Sequence, residues 1–353
     1  MKLKINYKDF VKTYPEKYKV ALFYPKFLKL KKNKLNFCII KNILGSKVPI
    51  QTLYFWYNNK RIPLSFKEFF KIKKEFSKND LENLAIIVGH ILGDGGITKK
   101  KVLRYCNTEE FLIQEFQNAI ENVFHVKPMN KFKENSDIIR LEYPSLISRV
   151  LLCLFGEFSL GEGNKRITQR INKMSMWWKI KLLQALYDDD GSVPNSGHYL
   201  GVTLKQKSKT IVEWVKRTLK KLGINSRLTP DGNLWHLRIT NYLDLVKFRD
   251  KINFSKGYRK QIQLDRVIKK IRYPHWKTKN QIIDLLKEKP RTRKELANIL
   301  NLKSGTIYGH LHGWKRKEGR SNKGLIDLGI VKVEKVGRIN FYHINDSINK
   351  REN

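Results

Sequence analysis

Cysteine, acidic residues and long apolar runs are all scarce in this sequence. Only three cysteines occur in 353 residues, Cys38, Cys106 and Cys153, and they are scattered. That excludes a disulfide framework and a zinc site and fits buried thiols in a reducing cytoplasm. No apolar run approaches the ~18 residues of a membrane span. The longest, Val150 to Phe155, has six. No apolar core and cleavage site follow the lysine-rich N-terminus, which excludes a secretory signal. Acids number 32 against 72 lysines and arginines, a formal charge of +40. Such a charge repels itself unless a polyanion neutralises it. Nucleic acid is therefore the leading partner, ahead of an inert basic surface or an anionic membrane. What is abundant points the same way. With 41% hydrophobic and 11% aromatic residues the chain is not disordered, and its length allows two or three domains.

Three regions differ in texture. Residues 1–78 predict helices, with Phe37 to Leu44 stopped by Gly45 and a second stretch from Leu53 to Tyr57. That order is a candidate helix-turn-helix; the alternative is an ordinary helical hairpin. Phe66 to Phe76 predicts a linking helix. Residues 273–353 predict three helices and a two-stranded wing. Lys279 to Lys287 is amphipathic, and Thr292 with Glu295 forms a capping box opening Lys294 to Leu300. Ser304 is expected to cap Gly305 to Trp314. Strands Val331 to Val336 and Ile339 to Ile344 flank a Gly337-Arg338 turn. This is the pattern of a winged helix-turn-helix, with Lys315 and Arg316 as DNA contacts. His310 and His312 have no Cys or acid at ligand spacing, so they belong to packing or to the recognition helix, not to zinc.

The middle region, residues 79–272, holds a loose duplication, about 79–175 and 176–272. Each half opens with an apolar helix ending in acid then glycine: Leu84 to Asp94-Gly95, and Ile180 to Asp190-Gly191. A strand follows in each (Val102 to Cys106; Leu200 to Gln206), then an amphipathic helix (about Thr108 to Phe124; about Ser208 to Leu222). Another strand comes next (Ile138 to Tyr143; Leu234 to Thr240). A carboxylate at a helix C-terminus faces the negative end of the macrodipole, at a cost of about 0.3–1 kcal/mol. Asp94 and Asp190 both sit there, before glycines suited to a left-handed cap. Two such ends brought together would suit a hard divalent cation; the alternative is a local turn hydrogen bond for each. Gly89 and Gly93 lie four apart, with Ala185 at the place of Gly89 in the second helix, so the two backbones are expected to approach closely.

The segments VGHILGDGG and QALYDDDG resemble the two signature helices of the LAGLIDADG homing endonucleases, over about residues 80–270. The resemblance implies an α+β fold: a pseudo-symmetric duplicated αββαββα core, here flanked by the N-terminal helical region and the C-terminal winged helix. It implies a monomeric, cytoplasmic, site-specific endonuclease that hydrolyses double-stranded DNA with Mg2+ or Mn2+. Asp94 and Asp190 would hold the metal, with Gly93 and Asp189 offering backbone carbonyls. Gln206-Lys207-Ser208 matches the segment that places a basic residue near the attacking water, which makes Lys207 catalytic. The curved sheets would read the major groove. Thr203, Lys205 and Lys207 share one strand face, as do His236, Arg238 and Thr240, and Arg104 and Arg140 are the counterparts in the first half. Two departures stand out. Cys106-Asn107-Thr108 occupies the place of Gln206-Lys207-Ser208, so half one lacks the basic residue and Asn107 becomes a helix N-cap with Glu110 at the third position. Asp189 replaces the small residue expected at the second close contact. The alternatives are a DNA-binding regulator that no longer cuts and an RNA splicing cofactor. The chain starts with Met and ends Arg-Glu-Asn, without splice-junction residues, so a free-standing protein is expected.

Overall fold

The computed structural model describes residues 3–133, 137–161, 165–194, 200–272, 277–315, 321–337 and 339–345. The chain divides into two units, Met1–Leu264 and Asp265–Asn353. The fold is α+β, and no helix among the described residues is long and apolar enough to cross a membrane.

The first unit begins with α1 (Tyr7–Lys12), a 3-10 turn, α2 (Tyr24–Lys32), α3 (Phe37–Leu44), α4 (Ile50–Tyr57) and α5 (Leu64–Lys71). Phe27, Ile40, Leu44, Leu53 and Trp56 form their own small core. α4 starts three residues before the aromatic stretch, because Pro49 at φ −52° already holds the backbone near the helical value. The expected helix to Phe76 stops at Lys71, where Ile72 turns extended. The segment after it meets the N-terminal segment through an isolated Lys4–Glu75 bridge. Arg149 ties these helices to the rest of the unit: its guanidinium donates to Thr13 O at 2.7 Å and stacks over the Tyr14 ring at 3.9 Å.

Two αββαββα repeats follow. The first is α6 (Lys78–Leu92), β1 (Gly95–Ile97), β2 (Leu103–Asn107), α7 (Glu110–Phe124), β3 (Asn130–Lys133), β4 (Ile139–Tyr143) and α8 (Ser145–Phe155). After a short α9 (Gln169–Asn172) the second is α10 (Met176–Asp190), β5 (Gly191–Ser192), β6 (Val202–Gln206), α11 (Lys209–Lys221), β7 (Arg227–Asp231), β8 (Leu234–Ile239) and α12 (Tyr242–Lys251). The sheets are antiparallel, in orders β1-β2-β4-β3 and β5-β6-β8-β7. β1 and β5 have three and two residues, too few for alternation to mark them in the sequence. Ser77 and Asp80 close a reciprocal capping box on α6. That helix is buried on nearly all sides, from Leu84 through Leu92 apart from Ile86, as expected of an element packed on both α10 and α7.

α13 (Arg259–Arg272) crosses the divide between the units. The second unit contains α14 (Lys277–Glu288), β9 (Arg291–Thr292), α15 (Arg293–Ile299), α16 (Ser304–His312), β10 (Trp314–Lys315), β11 (Ser321–Asn322), β12 (Val331–Val336) and β13 (Ile339–Ile344). The Thr292–Glu295 capping box forms as expected. Ser304 instead begins α16, with no side-chain cap, and Gly313 at φ +85° ends that helix before Trp314. The wing gains β9 as a third strand, in order β12-β13-β9. His312 stacks on Tyr308, with centroids 4.3 Å apart, and its Nε2 lies 3.1 Å from Tyr342 Oη, so it packs the helix against the wing. Lys315 lies in β10, while Arg316 and Arg338 fall outside the described residues.

Candidate active site

α6 and α10 pack backbone against backbone. A Cβ added at Gly89 would lie 2.6 Å from Leu182 O and 2.7 Å from Ala185 Cβ; one at Gly93 would lie 2.6 Å from Asp189 Cβ. Glycine at 93 is thus what admits the larger Asp189 opposite it. The helices deliver Asp94 and Asp190 to one spot, and the main-chain N–H of Asp94 donates to Asp189 Oδ2 at 3.2 Å. The expected left-handed caps do not form. Gly95 and Gly191 are absent from the positive-φ residues: α10 runs straight into β5, and α6 ends at Leu92, two turn residues before β1. They are glycines because the backbone is crowded: a Cβ at Gly95 would sit 2.9 Å from Ile91 Cα, and one at Gly191 2.9 Å from Tyr187 Cδ1.

Sheet register corrects the alignment of the halves. Gly95 pairs with Tyr105 and Gly191 with Leu204, so Asn107 is the counterpart of Gln206, not of Lys207. Asn107 Nδ2 donates to Asp94 Oδ2 at 2.9 Å, and Gln206 Nε2 donates to Asp190 Oδ2. Asn107 is therefore no N-cap of α7. Its Oδ1 accepts from Glu109 N in a turn, and α7 begins at Glu110 without a side-chain cap. Gln206 also reaches Leu92 O across the helix pair, at 3.1 Å. Lys207 is exposed beyond the end of β6 and makes no hydrogen bond or ion pair among the described residues. Strand alternation explains why: the neighbour of an inward-facing Gln206 faces away.

The lysines of the site come from elsewhere. Lys165, after α8, donates to Gly93 O; Lys260, at the start of α13, donates to Asp188 O and, at 3.2 Å, to Asp189 O. The backbone carbonyls expected to face a metal thus carry ammonium groups. Burial lowers the pKa of both lysines, against the opposing pull of the aspartates around them. Burial, and then its neighbours Asp94 and Asp189, push Asp190 up to about 8. Asp94 goes to about 6 by burial and the Asp189 charge. Neither Asp94 nor Asp190 has an ion-pair partner on its own oxygens among the described residues, and each keeps oxygen lone pairs beyond its one amide hydrogen bond. Two crowded carboxylates, only partly offset by the nearby lysine charges, are a donor set that fits a hard divalent cation. Among the described residues no group of three or more His, Cys, Asp or Glu is arranged for a metal, so the fit rests on these two acids.

Asp189 turns inward. Its fully buried carboxylate accepts from Tyr105 Oη at 2.8 Å and lies 3.0 Å from His90 Nδ1. The other ring nitrogen of His90 is 3.1 Å from Glu115 Oε2, and Ser255 Oγ lies 2.8 Å from Glu115 and 2.7 Å from Asp188. Burial alone would lower the pKa of His90. The carboxylates on its two nitrogens outweigh that and hold it up at about 10, an imidazolium donating both ways. Nothing in the sequence pattern marked this network, because its members come from α6, β2, α7, α10 and the segment after α12.

On the first sheet Arg104, Cys106 and Arg140 share a face with Glu142, and Arg104 Nε pairs with Glu142 Oε1 at 2.7 Å. A cavity of about 310 Å3 joins that face to Asp94: Asp94, Arg104, Cys106, Arg140 and Lys165 all line it. On the second sheet Thr203, Lys205, His236 and Arg238 share a face as expected. Lys205 is exposed and pairs with Asp231 at 2.9 Å. His236 is buried: Arg238 covers it, its Nε and Nη2 donating to His236 Nδ1 at 3.0 and 2.9 Å. Of the two, Arg238 has the outer position.

Residues 177–253 match the model of a LAGLIDADG-like domain. Among solved structures, mesophilic variants from the homing endonuclease I-DmoI align at 18% identity over 54% of this chain and 100% of theirs, TM-score 0.39. Full-length DUF199/WhiA from Thermatoga maritima aligns at 16% over 66% of this chain and 89% of its own, TM-score 0.38. I-DmoI in complex with DNA and Mn aligns at 20% over 51% and 99%, TM-score 0.38. No curated protein matches the chain.

Proposed function

Because residues 177–253 form a LAGLIDADG-like domain, we propose that this protein is a site-specific, divalent-metal-dependent endonuclease of double-stranded DNA. The observation that carries the reading is a repeated triad. Each half brings a helix-end aspartate, a strand amide donating to it, and a lysine bonded to a nearby main-chain carbonyl: Asp94, Asn107 and the half-buried Lys165 in one, Asp190, Gln206 and the buried Lys260 in the other. Asp94 and Asp190 would hold Mg2+ or Mn2+, which when bound supplies charge stabilisation and a more acidic water. Asn107 and Gln206 fix the carboxylate orientations. The Lys165 and Lys260 ammonium groups, held on the carbonyls beside the aspartates, would supply positive charge to a phosphoryl group under attack, and positioned cations in a partly dry site stabilise such charge strongly. The basic sheet faces, through Arg104, Arg140, Lys205 and Arg238, would hold the duplex by phosphate and base-edge contacts.

Incubating the protein with a supercoiled plasmid library tests the reading. Nicked or linear product with Mg2+, and none with chelator, is the expected result. Lys165→Met and Lys260→Met each slow cleavage by about 10²-fold, whereas Lys207→Met cleaves at close to the parental rate. Equal loss in all three would show that the lysines act only through bulk charge.

A second reading, a DNA-binding regulator without cleavage, is favoured by one feature: Gly93 O and Asp189 O already accept from lysines. An RNA splicing cofactor is disfavoured by the winged module, which suits a duplex. That module is proposed to touch DNA outside the core footprint. Removing residues from 275 onward shortens the footprint on one side. It also lowers the slope of log affinity against log salt by ~0.9 for each phosphate the module neutralises. An unchanged footprint with full affinity would end that part of the proposal.

A further inference from the structure

A second cavity, of about 300 Å3, opens at the far end of α10 from the paired aspartates. Lys179 and Asp190 are separated by roughly 16 Å along that helix at 1.5 Å per residue. Its walls are the segment joining the two repeats, the first turn of α10, and one stripe of α11. On that stripe Thr210, Trp214, Arg217 and Lys221 recur at helical spacing beside the core-facing Ile211, Val215 and Leu219.

The charges in this cavity do not balance. Lys179, Arg217 and Lys221 all line it, and among the described residues no aspartate or glutamate does. Lys179 is only 8% exposed. Its ammonium donates to one main-chain carbonyl, Asn172 O, at 2.6 Å, and has no carboxylate partner among the described residues. Asn172 is itself held, since Trp214 Nε1 donates to its Oδ1 at 3.1 Å. Burial and the nearby Lys221 charge keep the Lys179 pKa below the ordinary lysine range. A buried ammonium with two further donors and no counter-charge is costly. Exposed lysines are plentiful on a chain of charge +40 and need no explanation; a buried one facing two more cations across a cavity does.

We propose that this cavity binds a small phosphate-bearing ligand, its phosphate seated between Lys179, Arg217 and Lys221. Two or three negative charges match three cations better than the single charge of a carboxylate. The forked guanidinium donors of Arg217 suit phosphate oxygens. The volume lies at the lower end of small-molecule sites, enough for a pyrophosphate or the phosphate tail of a nucleotide. The inference stands apart from the cleavage reading, since none of these residues belongs to the aspartate site.

Calorimetric titration of the full chain with pyrophosphate tests it, in enough KCl to screen non-specific polyanion contacts. One saturable site per chain is expected, weakened at least tenfold by Lys179→Met. The double variant Arg217→Gln with Lys221→Gln, which alters only exposed side chains, keeps the test decisive if Lys179→Met folds poorly; it too should lose at least tenfold. Absence of saturable binding, or binding unchanged in the double variant, overturns the proposal. So does displacement of bound pyrophosphate by a short DNA duplex, which would make the cavity a backbone-phosphate contact.

Discussion

Asp94→Asn and Asp190→Asn each lower DNA cleavage by at least about 10²-fold, to nicking or to nothing, while duplex affinity stays equal or rises. Affinity holds because each change removes a negative charge from a surface that meets phosphate. The same substitutions raise stability at alkaline pH, and the sign follows from linkage. Burial and repulsion from neighbouring aspartates, Asp189 for Asp94 and Asp94 with Asp189 for Asp190, put the folded-state pKa values at about 6 for Asp94 and about 8 for Asp190, above the usual value of an aspartate. The folded chain therefore holds protons that the unfolded chain has released, so stability falls as pH rises from about 4 toward 8. Asp188, pushed up to about 7 mainly by burial, adds to the same slope. His90, raised to about 10, stabilises the fold below its unfolded pKa, and that stability is lost as pH climbs through the alkaline range. Asp94 is crowded by neighbouring groups but its surface is exposed, so its share is the one that water and salt shrink most. Thermal melts across that pH range should show a slope that Asp190→Asn flattens. Mg2+ should raise the melting temperature of the parent near pH 8 but not that of the double Asn variant. Parental cleavage rates in both single variants would remove the aspartates from the mechanism.

Gly89→Val destabilises the first unit by about 3 kcal/mol, the upper part of the usual range for overpacking. A Cβ alone would already meet Leu182 O at 2.6 Å and Ala185 Cβ at 2.7 Å, and a main-chain carbonyl in a buried helix cannot swing aside. The helices must then separate, which also parts Asp94 from Asp190, so any folded fraction should be inactive. Gly96→Ala is the matched control. No atom lies within 4 Å of its added Cβ, so chemical denaturation should leave its stability unchanged or slightly raised. Equal effects from the two substitutions would mean that the helix contact is not the constraint.

Much of the architecture was written in local pattern. The two acid–glycine helix ends, the amphipathic stripes of α7 and α11 and the order of the repeats are properties of a few consecutive residues, and all are present in the fold. The Thr292–Glu295 capping box was legible because both partners lie within one helical turn. The excess of cations reads directly as a need for a polyanion. Of the site, Asp94 and Asp190 were legible because a carboxylate at a helix end is locally unfavourable and so calls for a reason.

The partners of those aspartates were decided by tertiary structure. Lys165 and Lys260 follow their aspartates by about 70 residues, one on the segment after α8 and one in the first turn of α13, and no local rule links an ammonium to a carbonyl across that distance. A one-residue shift in strand register separated Gln206, which touches Asp190, from Lys207, which does not, because alternation sends successive side chains to opposite faces. The glycines at 95 and 191 were foreseen, but as left-handed caps; only packing revealed that they relieve crowding of the backbone. The sequence alone determined the longer helices and the central strands and marked the two acids, but not the short edge strands. The tertiary structure decided what surrounds the acids, since hydrogen bonds and charge act across space while sequence pattern reports only neighbours along the chain.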